Sequence, residues 1–151
     1  MRQEIITILS DVGGFYKLIS FFVLVPLGIA LYTHDWVSSG AFLLVLFYFA
    51  GVGHLLDQLP QYREYTRLSS ALASIALAWL TSGIVFGIPY YINADMSLSQ
   101  AAFEGMAGWT STSFSFLLII EQIDLTSALC FWRAYTQWVG GFFMLCVLLL
   151  S

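Results

Sequence analysis

The sequence predicts an all-α integral membrane protein: two N-terminal transmembrane helices, then a span, a re-entrant half-helix and a second span. Three observations predict it. Of the 151 residues 60% are hydrophobic and only 9% are charged, with a mean hydropathy of +0.85. A soluble domain carries about a quarter charged residues, so lipid has to be the solvent for the surplus apolar surface. The apolar residues fall into long runs, as spanning helices of about 20 residues require. One stretch, SLSQAAFEGMAGWTSTSFS at 97–115, departs from that pattern: it starts as a helix and ends in small hydroxyl residues between apolar flanks.

Residues 1–14 carry Arg2, Glu4 and Asp11 and end in Gly13-Gly14, which reads as a short interfacial N-terminus followed by a break. The run 15–32 is the first span. It is longer than the apolar core of a signal peptide and no small-residue cleavage site follows it, so it is expected to stay in the mature protein. A polar turn, THDWVSSG at 33–40, leads to the second span, 41–56, which borrows flanking residues such as Trp36 to reach across. The stretch 59–67, LPQYREYTR, is the most polar of the chain and closes a two-helix N-terminal region, 15–67.

The third span, 68–92, contains no charge and ends in Gly83, Gly87, Pro89, Tyr90 and Tyr91; paired tyrosines suit an interfacial belt. Ser97 and Gln100 have the spacing of a capping box. The helix they start, 98–109, is about 18 Å long, little more than half of a hydrocarbon core of about 30 Å, so it cannot span. In the loop that follows, 110–115, irregular backbone at membrane depth is tolerated only where protein buries it or where it lines a water-filled path. A half-helix ending there directs its negative C-terminal end at that path, which suits a cation. Helix resumes near 126 and runs to 150, completing a unit over 68–151.

Charge placement gives orientation and excludes partners. With the N-terminus inside, Arg2, Lys17, Arg63 and Arg67 lie on the cytoplasmic side and Arg133 alone in the outer half. By the positive-inside rule both termini are cytoplasmic, and the half-helix enters from outside. A net charge of −4 without a basic patch argues against nucleic acid. No nucleophile–base pair, phosphate-binding glycine loop or metal-ligand spacing occurs, so neither an enzyme nor a cofactor is expected. Cys130 and Cys146 stand about 24 Å apart on one helix, too far to bridge, and read as apolar fillers. His34 and His54 sit at opposite ends of a span and cannot share a metal. Arg133 is a functional candidate as an ionisable residue within a span, or a structural partner of Glu104, Glu121 or Asp124. Glu104 either attracts cations or pairs with Arg133, and Gln137, Gly140 and Gly141 suit helix packing and interhelical hydrogen bonds.

The order span, half-helix, hydroxyl-rich loop, span describes one M1–P–M2 unit of a cation pore. Its residues go further. FEGMAGWTST at 103–112, followed by FWRAYTQWVGG at 131–141, resembles the first pore repeat of the Trk/Ktr/HKT superfamily of potassium transporters. Members look like F-E-x-x-S-G-x-T-T-T-G followed by L-F-W-R-x-x-x-Q-W-x-G-G, and TrkH-like membrane subunits carry two spans ahead of this repeat.

The resemblance implies uptake of K⁺ across the cell's inner membrane through four repeats around one axis. The selectivity filter would be the backbone carbonyls of Ser111, Thr112, Ser113 and Phe114, with Glu104, Arg133, Gln137, Gly140 and Gly141 supporting the loop. It implies no cofactor beyond the transported ion. The partners would be the lipid bilayer, further repeats and a cytoplasmic nucleotide-binding regulatory subunit. Those repeats would come from the rest of a longer chain or from other copies; the stop at 148–151, where a cytoplasmic flank should begin, points to a fragment. Ser113 stands where the family has glycine, and in plant members a serine there goes with Na⁺ permeation, so K⁺ and Na⁺ both stay open. A non-conducting structural or assembly subunit is the alternative; the hydroxyl loop speaks against it.

Overall fold

The computed structural model describes residues 2–62, 68–112, 114–115 and 125–150. Every regular element among them is a helix: α1 (Arg2–Tyr32), α2 (Trp36–Asp57), α3 (Leu68–Val85), α4 (Ile88–Asn93), α5 (Leu98–Trp109) and α6 (Ser127–Leu150). Three stretches are long and apolar enough to cross a membrane: Gln3–Tyr32, Trp36–Asp57 and Ser69–Asn93, the last running through α3 and α4. Only 33% of each apolar window is buried within the protein, so the remainder needs hydrocarbon around it, as a multi-pass membrane protein provides. The sequence counts α6 as a fourth span. Its 24 residues suffice in length for that.

The α1–α2 hairpin is built on two apolar stripes. Val12, Tyr16, Ile19, Val23, Leu27 and Ala30 recur every three or four residues on α1 and are buried together with Phe42, Val45 and Phe49 of α2, the period of one helix face. Residues on the other faces, such as Phe21, Leu24, Phe47 and Leu55, are exposed. The expected break at Gly13-Gly14 does not occur: α1 is continuous from Arg2. Gly13 instead lets two backbones meet, since a Cβ there would come within 2.5 Å of the Asp57 backbone nitrogen. One turn on, Lys17 pairs with Asp57. Arg63 and Arg67, expected in the loop after α2, lie outside the described residues, as do Glu121 and Asp124.

The uncharged run 68–92 is interrupted at Phe86-Gly87, between α3 and α4. Pro89 sits at the start of α4; it lacks an N–H and its ring would clash with the carbonyl four residues back, so the longer helix stops there. Tertiary partners take up what the break exposes. The Phe86 carbonyl accepts the Trp132 indole N–H at 3.2 Å, and the Phe86 ring lies 4.9–5.4 Å from Trp109, Trp132 and Phe49. α5 rests directly on this break. A Cβ on Gly105 would approach the Gly87 nitrogen to 2.3 Å.

Candidate functional site

α5 opens with the capping box its sequence announces: the Gln100 N–H donates to Ser97 Oγ, and the Ser97 N–H donates to Gln100 Oε1 at 3.0 Å. Its other end decides the geometry of the site. The Thr112 N–H returns to the Ala107 carbonyl at 2.9 Å and the Ser111 N–H to the Gly108 carbonyl at 3.0 Å, the nested pair of a Schellman closure. Ser111 occupies the left-handed position of that closure, with φ 55°. Ser113, which stands where the resembling family has glycine, lies outside the described residues. Ser111 is left-handed for a reason of its own: the last carbonyls of α5 must be satisfied before the chain turns away.

Two ties hold this loop to α6. Ser111 Oγ donates to the Gln137 carbonyl at 2.8 Å, so Gln137 contributes its backbone here. Gly140 and Gly141 provide the seat: a Cβ on Gly140 would lie 2.0 Å from the Trp109 carbonyl oxygen, and one on Gly141 3.3 Å from Ser111 Oγ. The second tie is ionic. Glu104, 1% exposed, meets Arg133 Nε at 3.2 Å and accepts the Ser115 hydroxyl at 2.7 Å, both on Oε1. A carboxylate is tolerated at such depth when it is paired and hydrogen-bonded. Tyr90, fully buried on α4, lies within electrostatic reach of both charges.

The loop itself offers oxygen. The amides of Thr110, Ser111 and Thr112 all return to α5, and the Thr110 and Thr112 hydroxyls donate to Met106 and Ala107. The carbonyls of Ser111, Thr112 and Phe114 accept no hydrogen bond among the described residues. Thr110, Ser111, Thr112 and Phe114 are exposed. Beside the loop, a cavity of about 390 Å³ is lined by Trp79, Trp109, Gly140, Met144 and Leu145; a groove with Cys130, Arg133, Ala134 and Gln137 runs along α6. Hard, uncharged oxygens of this kind suit a cation that exchanges hydration water for carbonyls. No cluster of three or more His, Cys, Asp or Glu able to hold a metal occurs among the described residues.

Ser115 and Thr136 were not singled out by sequence reasoning. Ser115 reaches Glu104 across the loop, and Thr136 Oγ1 lies 2.7 Å from where a Gly108 Cβ would stand. Neither spacing is a local signal.

No family model matches the chain, and no solved structure matches it. It is 30% identical over 141 residues to an uncharacterized cation transporter of Methanocaldococcus jannaschii, covering 93% of this chain and 29% of that protein. It is 27% identical over 139 residues to the Trk system potassium uptake protein TrkH of Vibrio parahaemolyticus, covering 89% and 28%. It is 36% identical over 66 residues to the Trk system potassium uptake protein TrkI of Halomonas elongata, covering 43% and 13%. These matches support a Trk-like family of cation transporters. The Trk-like similarity takes in the α1–α2 hairpin as well as the loop and α6, and the chain spans less than a third of the length of these relatives.

Proposed function

We propose that this chain forms one repeat of a cation pore. α5 is a re-entrant half-helix between the span of α3 and α4 and a span formed by α6, and the segment after it is a selectivity filter. Backbone carbonyls of Ser111, Thr112, Ser113 and Phe114 replace part of the hydration shell of K⁺ or Na⁺. Glu104 and Arg133 hold one side of the loop and Gln137, Gly140 and Gly141 the other. The observation that carries this reading is the exit from α5: the amides turn inward and are used, and the carbonyls that follow are left to a ligand.

One loop cannot surround an ion, so the complete pore takes further repeats, from the remainder of a longer chain or from other copies. The bilayer is the other partner, and a cytoplasmic nucleotide-binding subunit regulates the assembly. The protein sits in the inner membrane with both termini cytoplasmic and performs no chemical reaction. A cysteine at the exposed Asp95 should then react with an impermeant thiol reagent added outside, and one at Leu59 should not; the reverse pattern would overturn the orientation.

The deciding experiment measures Na⁺ and K⁺ uptake by vesicles containing the complete protein, before and after Ser113→Gly. Serine takes positive φ less readily than glycine, so comparable Na⁺ and K⁺ uptake is expected, shifting toward K⁺ in the variant. An unchanged, K⁺-favouring ratio would remove Na⁺ passage and leave the pore. No uptake of either ion would favour a non-conducting structural subunit.

A further inference from the structure

α1 and α2 lie outside the proposed pore repeat, yet one of their side chains touches both ends of the excursion that carries the loop. Ser38, in the first turn of α2, is fully buried. Its Oγ lies 3.1 Å from Asn93 Oδ1 and 3.3 Å from Thr126 Oγ1. Asn93 is the last residue of α4, where the chain leaves the third span; Thr126 immediately precedes α6, where it returns. All of 94–125 hangs between them.

One set of proton directions satisfies Asn93, Ser38 and Thr126 together. The Asn93 side-chain nitrogen donates to the Pro89 carbonyl at 2.8 Å, which orients Oδ1 as the acceptor toward Ser38. Ser38 has a single hydroxyl proton, so when it goes to Oδ1 the Thr126 hydroxyl is the donor to Ser38 Oγ; the Asp35 carboxylate, which also draws on both hydroxyls, is the competing acceptor. Thr126 Oγ1 in turn accepts the Leu129 N–H at 3.2 Å. A one-directional chain thus runs from the first turn of α6, through the first turn of α2, into α4. The middle link is rigid, because the Ser38 N–H donates to Asp35 Oδ1 at 3.1 Å and Phe42, one turn on, packs its ring 5.2 Å from Trp132 of α6.

We propose that Ser38 is a positioning residue for the pore loop: its hydroxyl clamps the two ends of 94–125 together, so that the two-helix region sets how α5 and its loop are seated. The proposal rests on the pore-loop reading above. Without the hydroxyl, the half-buried Asn93 Oδ1 loses its donor and the exposed Thr126 hydroxyl turns to Asp35 or to solvent, so nothing on α2 ties the two ends together.

The test uses the full-length protein in lipid vesicles, with Cys130 and Cys146 replaced by serine and Thr112→Cys introduced as a reporter. The labelling rate of the reporter by an impermeant thiol reagent is read in this background, and Na⁺ and K⁺ uptake in the protein that keeps Thr112. Ser38→Ala and Asn93→Ala should each change the labelling rate about tenfold, the equivalent of about 1.4 kcal/mol, and shift the Na⁺ to K⁺ ratio. The double variant should do no more than either single one, because both cut the same chain. Ser74→Ala, which removes a buried hydroxyl bonded to Asp11 near the start of α3, should leave labelling and ratio as they were. The clamp is overturned if Ser38→Ala lowers only thermal stability, if the two effects add, or if Ser74→Ala changes labelling equally. Parent vesicles that take up no cation would remove the pore reading, while the labelling comparison would still decide the clamp.

Discussion

Two helix ends in this protein close with the same backbone motif and come to different uses. At the end of α1 the His34 N–H returns to Leu31 and the Asp35 N–H to Ala30, with His34 at φ 56°. At the end of α5 Ser111 and Thr112 repeat the pattern, with Ser111 at φ 55°. Each places a non-glycine residue where the left-handed backbone costs about 1 kcal/mol or more. His34 is exposed, and the chain re-enters a helix at once, capped by Asp35. Ser111 is bonded to α6, its helix end is seated on Gly140, and irregular backbone follows. The motif ends a helix; tertiary contacts decide whether the turn is a surface reversal or a fixed support.

The largest effect should come from removing the seat. Gly140→Ala drives a methyl into the Trp109 carbonyl and is expected to lower stability by about 3 kcal/mol, read as thermal unfolding in detergent. Gly28→Ala on α1, where a Cβ meets nothing within 4 Å, should be neutral or stabilise by up to about 1 kcal/mol. Equal melting of parent and Gly140→Ala would contradict the close approach of α5 to α6.

Next come the two ion pairs. Glu104→Ala strands Arg133 in a largely buried position and should cost about 3 kcal/mol. Asp57→Ala breaks the Lys17 pair, whose side chains keep 38% and 34% of their surface, and should cost less than about 1 kcal/mol. Similar losses in the two variants would mean that burial does not separate them.

A sharper comparison uses glycine at both left-handed positions. His34→Gly relieves backbone strain at the expense of chain entropy, for a net gain of about 0.5 kcal/mol. Ser111→Gly has the same relief but loses the bond to Gln137, so a loss of about 0.5 kcal/mol is expected. The opposite signs are the test, and equal signs would leave the Ser111 tie without energetic weight.

The smallest effect is at Asp35. Burial pushes its carboxyl up, but the hydrogen bonds it accepts from Ser38, Thr126 and the Val37 amide together outweigh this and hold it below its ordinary value. A lowered folded value stabilises above the unfolded carboxylate range and is lost as pH falls below about 4. Asp35→Asn keeps a capping oxygen and should flatten this dependence. Melting at neutral pH and at about pH 3 should differ less for the variant than for the parent.

Sequence alone determined the all-α membrane class, because apolar composition and run length depend on the solvent and on nothing distant in the chain. It determined the start of α5 as well, since Ser97 and Gln100 are three residues apart and a capping box closes within one turn. Its pairing of Arg133 stayed open among three acids, and only the tertiary structure brought Glu104 to it. Gly13-Gly14 reads as a break in sequence and is a contact in the structure, because a glycine's use depends on what stands opposite: here the backbone of Asp57. The same holds for Gly140 under Trp109, for the Phe86 carbonyl that Trp132 satisfies, and for Ser38 between Asn93 and Thr126. These are meetings of residues far apart in the chain, and no local period encodes them. They were decided when the helices packed and buried groups such as the Phe86 carbonyl and the Trp132 indole found each other.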